Sequence, residues 1–397
     1  MASPPSLPSE IWFDHILTRV KSLDSLGLCR VVSKDWNHIT YESRFWQLFC
    51  KRSDTVSGFL FQNFYDHKHS STFVSVDNKA NKTLNLSILN FLPAPVKVEA
   101  VSSQGGLVFC GNQNHRRVPE YFVCKPTTLQ WETLPNPKTR YYTQSNAIVV
   151  LSSKPLRYKI IRFSDPKSPV KSQLYQNLIR CEVFDSNTWA WRQLKHVSLP
   201  YSVCLKLPRR PCVTSRGACY WHLTNNQVLA FYYEDDEESW EIFDSPEPMS
   251  DSEYCAMYTK LVEYQGRLAL IYSEGELMEL WVMEDHEKKV WRRHKLISLD
   301  GLKQLLGHYP SPGAYYNSDI ALMEAWPKVV FYKFQASSSY KVVNAMLENK
   351  PEEIFKLQSD FEIVNLRGPW RWRDFSFIFF LFGFSLFCYF VRFVLGL

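Results

Sequence analysis

Glycine is scarce in this chain, 14 of 397 residues, while phenylalanine reaches 27 and tyrosine 21. That balance leans toward β structure, because aromatic rings pack well on a pleated surface and glycine does not. Closely spaced cysteines are missing as well. The ten cysteines stand at 29, 50, 110, 124, 181, 204, 212, 219, 255 and 388, and no two have the short spacing of a zinc knuckle, so neither a metal nor another cofactor is expected. There is no Gly-x-Ser-x-Gly elbow, no glycine-rich phosphate loop ending in Lys-Ser or Lys-Thr, and no His-Glu-x-x-His pair. Their absence removes the usual marks of a serine hydrolase, a nucleotide site and a zinc protease. The opening MASPPSLPSE lacks the basic-then-apolar order of a secretory leader, so a reducing cytosolic or nuclear compartment with free thiols is expected for the body of the chain. The net charge of +6 is divided among short groups, HRR at 115–117, PRR at 208–210 and WRRHK at 291–295. Phosphate binding needs one continuous basic face, so no nucleic-acid partner is expected.

What is present begins with a greasy N-terminus. Leu7, Ile11, Trp12, Phe13, Ile16, Leu17 and Val20 cover more than one face of a helix predicted from Pro8 to about Val20, with proline tolerated in the first turn, where backbone N–H groups lack intrahelical partners. A second helix is predicted from about Leu23 to Val32. A third, carrying Trp36 and Ile39, is capped by Ser33, and a fourth at SRFWQLFCKR is capped by Ser43, with Phe45, Leu48 and Phe49 on one stripe. Helices confined to about fifty residues cannot close a deep core by themselves, so part of this apolar surface is expected to belong to a partner.

Leu7-Pro8, Ile11, Ile16-Leu17, Arg19-Val20, Leu23, Leu26, Cys29-Arg30, Val32-Ser33-Lys34, Trp36 and Ile39 together resemble an F-box. The resemblance implies docking onto the Skp-type adaptor of a cullin-based ubiquitin ligase. Leu7, Pro8, Ile11, Ile16 and Leu17 would be the apolar anchors, and Val20, Leu26, Val32 and Trp36 complete the implied adaptor-binding set.

After Lys51 the pattern changes to short apolar runs separated by turn residues, the mark of strands. The runs repeat: GGLVFCGN with YFVCKPTTLQWETLP, then IRCEVFDSNTWAWRQLK, then RGACYWHL with VLAFYYEDDEESWEIFD, then QGRLALIYS with LMELWVMEDHEKKVWRRHK. Trp131, Trp191, Trp240 and Trp291 recur at separations of 60, 49 and 51 residues, which fits four-stranded, kelch-like propeller blades with the tryptophans packed between neighbours. The arrangement resembles the kelch-related F-box-associated region of plant F-box proteins. Asp66-His67-Lys68-His69 is read as a solvated loop, and the acidic run from Glu234 to Glu238 as the tip of a long loop that discriminates against acidic partners or favours a basic degron.

The chain ends in RGPWRWRDFSFIFFLFGFSLFCYFVRFVLGL. Seventeen residues between Asp374 and Arg392 carry no charge and eight of them are phenylalanine, a length that spans about 26 Å as a helix. Arg367, Arg371 and Arg373, with Trp370 and Trp372, form a basic and aromatic collar ahead of it. The sequence therefore predicts an α+β multidomain chain in five parts. These are a helical F-box at 1–50, a linker with first β elements at 51–98, a mainly β kelch-like propeller at 99–350, a juxtamembrane segment at 351–374 and a C-terminal apolar helix at 375–397. That last helix would hold the protein on the cytoplasmic face of a membrane. The expected role is the non-catalytic substrate receptor of an SCF-type ligase, joining adaptor and cullin scaffold to a target protein. The alternatives are a kelch-type enzyme or glycan-binding protein, and a membrane scaffold without ligase activity.

Overall fold

The computed structural model describes residues 16–20, 23–40, 42, 45, 48, 49, 55–66, 68–76, 88–112, 119–138, 142–165, 176–200, 203–205, 211–234, 238–246, 258–325, 328–334, 338–344 and 351–367. Among the described residues a short 3-10 helix, Leu17–Arg19, leads into two α-helices, α1 (Leu23–Val32) and α2 (Lys34–Ile39). As the sequence predicts, Ser33 caps α2, its hydroxyl accepting the Asp35 N–H at 3.2 Å. Leu17, Leu26, Phe45 and Phe49 form the buried centre of this unit, with Val20, Cys29, Trp36, Ile39 and Leu48 packed around them.

The rest is a ring of six antiparallel sheets. Blade one holds β3 (Lys97–Val101), β4 (Val108–Asn112), β5 (Glu120–Lys125) and β6 (Gln130–Leu134). Blade two holds β7 (Thr143–Ser153), β8 (Leu156–Ser164), β9 (Gln176–Asp185) and β10 (Ala190–Gln193), with β11 (Val197–Pro200) added to the far part of β9. Blade three runs from β12 (Val213–Ser215) through β13 (Ala218–His222) and β14 (Gln227–Tyr232) to β15 (Ser239–Asp244). Blade four runs from β16 (Thr259–Tyr264) through β17 (Arg267–Glu274) and β18 (Leu277–Asp285) to β19 (Val290–Ser298). A short helix, α3 (Asp300–Leu306), leads into blade five, β20 (Ser311–Tyr315), β21 (Ile320–Ala325), β22 (Lys328–Lys333) and β23 (Ser338–Asn344).

The sixth sheet joins the two ends of the ring. β1 (Thr55–Tyr65) pairs on one side with β2 (Lys68–Ser75) and on the other with β24 (Glu353–Asp360), Thr55 facing Asp360 and Gln62 facing Glu353. The ring therefore starts before, and ends after, the span of 99–350 expected from the repeats. The first β elements expected in 51–98 are two strands of the closing blade, and the segment read as juxtamembrane supplies the third. A pairing across some 300 residues leaves no local period for sequence to display.

Each blade is apolar on both faces and cannot bury them alone. Six apolar clusters result, one at every junction between neighbouring blades, including the two that flank the closing blade. In the closing blade Phe59 is fully buried and stacks on Phe331 of blade five at 5.8 Å. Between blades two and three Phe163 meets Trp221 edge-on at 4.9 Å. Each such side chain contributes about 1.5–3 kcal/mol by leaving water.

The recurring tryptophans open the outermost strands, as the repeat implies. Trp191 donates to the Pro135 carbonyl at 2.6 Å and Trp291 to the Asp244 carbonyl at 3.3 Å, in each case tying an outer strand to the preceding blade. Trp240 packs against the cluster between blades two and three. Trp131 is 39% exposed, so in blade one the position lies at the rim rather than in an inter-blade core. Leu129, Trp189 and Lys289, each two residues before its tryptophan, take left-handed backbone conformations at φ 56°, 53° and 54°. These turns are held by local bonds, such as the Asn187 N–H to Asp185 Oδ1 at 2.7 Å.

The seven cysteines among the described residues are free thiols. The predicted C-terminal helix falls outside the described residues. Among those described, no helix is long and apolar enough to cross a membrane.

Candidate functional site

The first strand-to-strand turns of blades one, three and four meet at one end of the ring. Arg216-Gly217 joins β12 to β13 and Gln265-Gly266 joins β16 to β17, both with two successive positive φ values, 45° and 73°, then 51° and 72°. This is the tight hairpin turn whose twist matches that of the strands. In blade one the matching turn carries Gly106 at φ 65°, where a Cβ would overlap the Ser359 side chain of β24. Glycine here lets the last strand of the ring close against the first complete blade.

These turns surround one mouth of an axial channel of about 600 Å³. Leu26, Gly27, Arg30, Val31 and Asn37 of the helical unit share its lining, so the helices sit over this mouth. Inside, Glu263 of blade four reaches across to Lys356 of the closing blade at 3.1 Å. Burial raises the Glu263 carboxyl, but Lys356 and the Gly266 N–H outweigh burial, and the group ends below its ordinary value. In blade two Arg162 and Glu182 form a buried pair at 2.6 Å, with Arg180 at 3.4 Å from the same carboxylate.

A strap leaves β24 at the same end. Lys125 donates to Asp360 Oδ1 at 2.5 Å and to the Glu362 carbonyl at 2.6 Å, and Thr127 donates to the Asp360 carbonyl at 2.6 Å. Gln130 exchanges two hydrogen bonds with the Val364 backbone. Tyr158 of blade two donates to the Leu366 carbonyl at 2.9 Å, and the Arg367 guanidinium lies 5.8 Å from the centre of the Trp189 ring. Residues 361–367 thus run over the turns of blades one and two.

The helical unit exposes what the ring buries. Leu28, Val31 and Val32 are 70%, 86% and 72% exposed, at helical spacing on the side of α1 away from Leu26. Of the residues implied by the F-box resemblance, Leu7, Pro8 and Ile11 lie outside the described residues. Leu17 and Leu26 are buried in the unit's own centre, Val20 and Trp36 are packed around it, and Ile16 and Val32 face solvent. Leu28 and Val31, which stand outside the set implied by the resemblance, share this exposed face with Val32.

Two loop readings change. Glu238, the last residue of the acidic run, turns inward: its side chain is 6% exposed and pairs with Lys159 at 2.9 Å and with Arg192. Burial raises its carboxyl, yet these two cations hold it below the ordinary value. That end of the run ties blade two to blade three instead of offering charge to a partner. His69 is 3.6 Å from the Glu352 carboxylate, and its ring lies tilted against Phe64 with centroids 4.7 Å apart. Burial, then Lys97, push its imidazole down to about 4, so it is neutral at pH 7. His67 lies outside the described residues.

Comparison with known proteins agrees with this architecture. A model of the F-box associated beta propeller domain matches residues 48–343. F-box protein DOR of Arabidopsis thaliana is 24% identical over 361 residues, covering 85% of this chain and 87% of that protein. F-box protein At5g49610 of the same plant is 26% identical over 305 residues, 75% of this chain and 80% of that protein. F-box protein At5g41720 is 37% identical over 142 residues, 34% of this chain and 75% of that protein. With a six-bladed ring, a helical unit at its mouth and a family match over most of its length, the chain belongs to the F-box associated β-propeller family of plant F-box proteins.

Proposed function

We propose that this protein is the substrate-recognition subunit of an SCF-type ubiquitin ligase, with the helical unit docking a Skp-type adaptor on the cullin scaffold and the ring holding a target protein. The observation that carries this reading is the exposed aliphatic stripe Leu28, Val31 and Val32 on a unit whose buried centre is only four side chains among the described residues. A surface of that kind, on a small helical unit of an F-box protein, suits a partner that F-box proteins generally bind. The receptor performs no bond chemistry. Fixing the target beside a tethered conjugating enzyme raises the effective concentration of a target lysine. For the tail, the uncharged run between Asp374 and Arg392 and its collar of arginine and tryptophan support anchorage to the cytoplasmic face of a membrane.

The test is recovery of adaptor and cullin from plant cells by the full chain, beside a Leu7→Ala, Pro8→Ala double variant and a form ending at Asp374. Capture of both proteins by the full chain and the short form, with loss in the double variant, is the expected result. Absence of the adaptor from every form would overturn the reading.

A further inference from the structure

A second concave surface lies at the outer rim of the ring, between blades three and four and three strands out from the axial channel. It is a cleft of about 660 Å³, within the usual range of small-molecule sites. Blade three contributes Phe243 and Asp244, at the end of β15, and Ser245 just beyond it. Blade four contributes Trp281 of β18, with Lys289 and Trp291 around the start of β19. We propose that this cleft is a saccharide site, which seats the C–H face of a sugar ring on the indoles and bonds its hydroxyls to Asp244 and Ser245.

The lining decides between ligand classes. Trp281 donates its ring N–H to Glu279 Oε2 at 2.7 Å, and Trp291 to the Asp244 carbonyl at 3.3 Å. Neither N–H is left for the carbonyls of a proline-rich peptide, so the indoles offer a ligand their faces. An aromatic face is electronegative, and it attracts either a cation or the weakly positive C–H bonds of a sugar. The cation's place is already taken. Lys289 Nζ stands 5.1 Å from the centre of the Phe243 ring and 5.4 Å from that of Tyr232, donates to the Tyr232 hydroxyl at 2.7 Å and pairs with Glu241. An anion fits no better, because this lysine is neutralised and the exposed Asp244 carboxylate shares the cleft. A neutral ligand with an apolar face and a rim of hydroxyls remains.

The polar groups match such a rim. Asp244 accepts from Gln227 Nε2 through Oδ1 at 2.8 Å, and among the described residues nothing bonds its Oδ2. Ser245 is an independent mark: it is 4% exposed, it lines the cleft, and its hydroxyl has no hydrogen-bond partner. A buried hydroxyl left unpaired costs stability, and a ligand hydroxyl removes that cost.

The test is saturation-transfer NMR on the full chain with the methyl glycosides of glucose, galactose, mannose, fucose, xylose and N-acetylglucosamine, beside a proline-rich peptide and a trimethyl-lysine peptide. Transfer to the ring C–H protons of at least one glycoside is expected. Asp244→Asn with Ser245→Ala, which keeps the acceptor for Gln227, should weaken that glycoside about tenfold through two lost hydrogen bonds. Ser245→Ala alone deletes an unpaired hydroxyl, so its unfolding curve should show stability equal to or above that of the unaltered chain, which separates a lost contact from a lost fold. The same sugar carried on a seryl peptide identifies its source. Tighter binding than the free glycoside points to a glycosylated protein, and equal binding to a free sugar; either result supports the site. Transfer to none of the glycosides would overturn the proposal, as would glycoside binding that the double variant leaves unchanged, or binding of either control peptide in place of every sugar. The site does not depend on the receptor reading: failure to capture adaptor leaves it standing, and failure to bind sugar leaves the receptor reading standing.

Discussion

The helical unit and the ring bury apolar side chains to opposite degrees. Around the ring every blade face meets another blade, and the six clusters close on themselves through β1 and β24. The unit at its mouth has Leu17, Leu26, Phe45 and Phe49 at its centre, while Leu28, Val31 and Val32 stand in water a turn away. A ring of sheets is self-sufficient because repetition supplies each face with a neighbour. A few short helices lack the volume for that and leave surface for a partner.

If this contrast holds, equivalent truncations must have unequal costs. Phe59→Ala in the closing blade removes a fully buried ring stacked on Phe331 and is expected to cost about 3–5 kcal/mol, measured by denaturant unfolding of the full chain. A cost below about 1 kcal/mol would mean that the ring is not closed by β1. Next in size is Arg162→Ala, which strands the buried Glu182 carboxylate. A loss of about 3 kcal/mol is expected, reduced because Arg180 remains nearby, and partly restored by Glu182→Gln in the same chain.

The pair across the channel gives a smaller, pH-dependent effect. The folded carboxyl of Glu263 titrates below its ordinary value, so its contribution to stability is present above the unfolded carboxylate range and is lost as pH falls through the folded value. Unfolding curves of the full chain and of Glu263→Gln should therefore differ at neutral pH and converge as the pH falls below the ordinary carboxylate range and through the lowered folded value. A gap that widens on acidification would contradict this sign. Smallest on stability is the exposed stripe. Leu28→Ser with Val32→Ser should shift unfolding by less than about 0.5 kcal/mol, yet reduce adaptor capture. Destabilisation comparable to Phe59→Ala would place the stripe in a core, and the contrast between the two regions would fail.

Much of this was legible. The α1 boundaries, the Ser33 cap and the blade repeat follow from helical spacing, cap chemistry and the tryptophan period, all local properties. The repeat shows in blades one to four because each carries a tryptophan near the start of its outer strand. Blade five and the closing blade have none there, so the blade number was not readable. The site was less legible than the fold. Leu17 and Leu26 read like anchors for a partner because buried and docking leucines look alike in a helical pattern, and only packing separates them. Glu238 likewise belonged to a charge run by sequence and to an inter-blade ion triad by position.

By itself the sequence determined the classes of element: short helices first, repeating strands after, with turns where backbone and side chain favour them. Those outcomes depend on residues within a few positions of one another. The tertiary structure alone decided that β1 and β24 share a sheet, that the strap binds blades one and two, and that α1 overlies the channel with its aliphatic stripe in water. Each of these joins residues far apart in the chain, where loop-closure entropy opposes contact until the whole ring repays it.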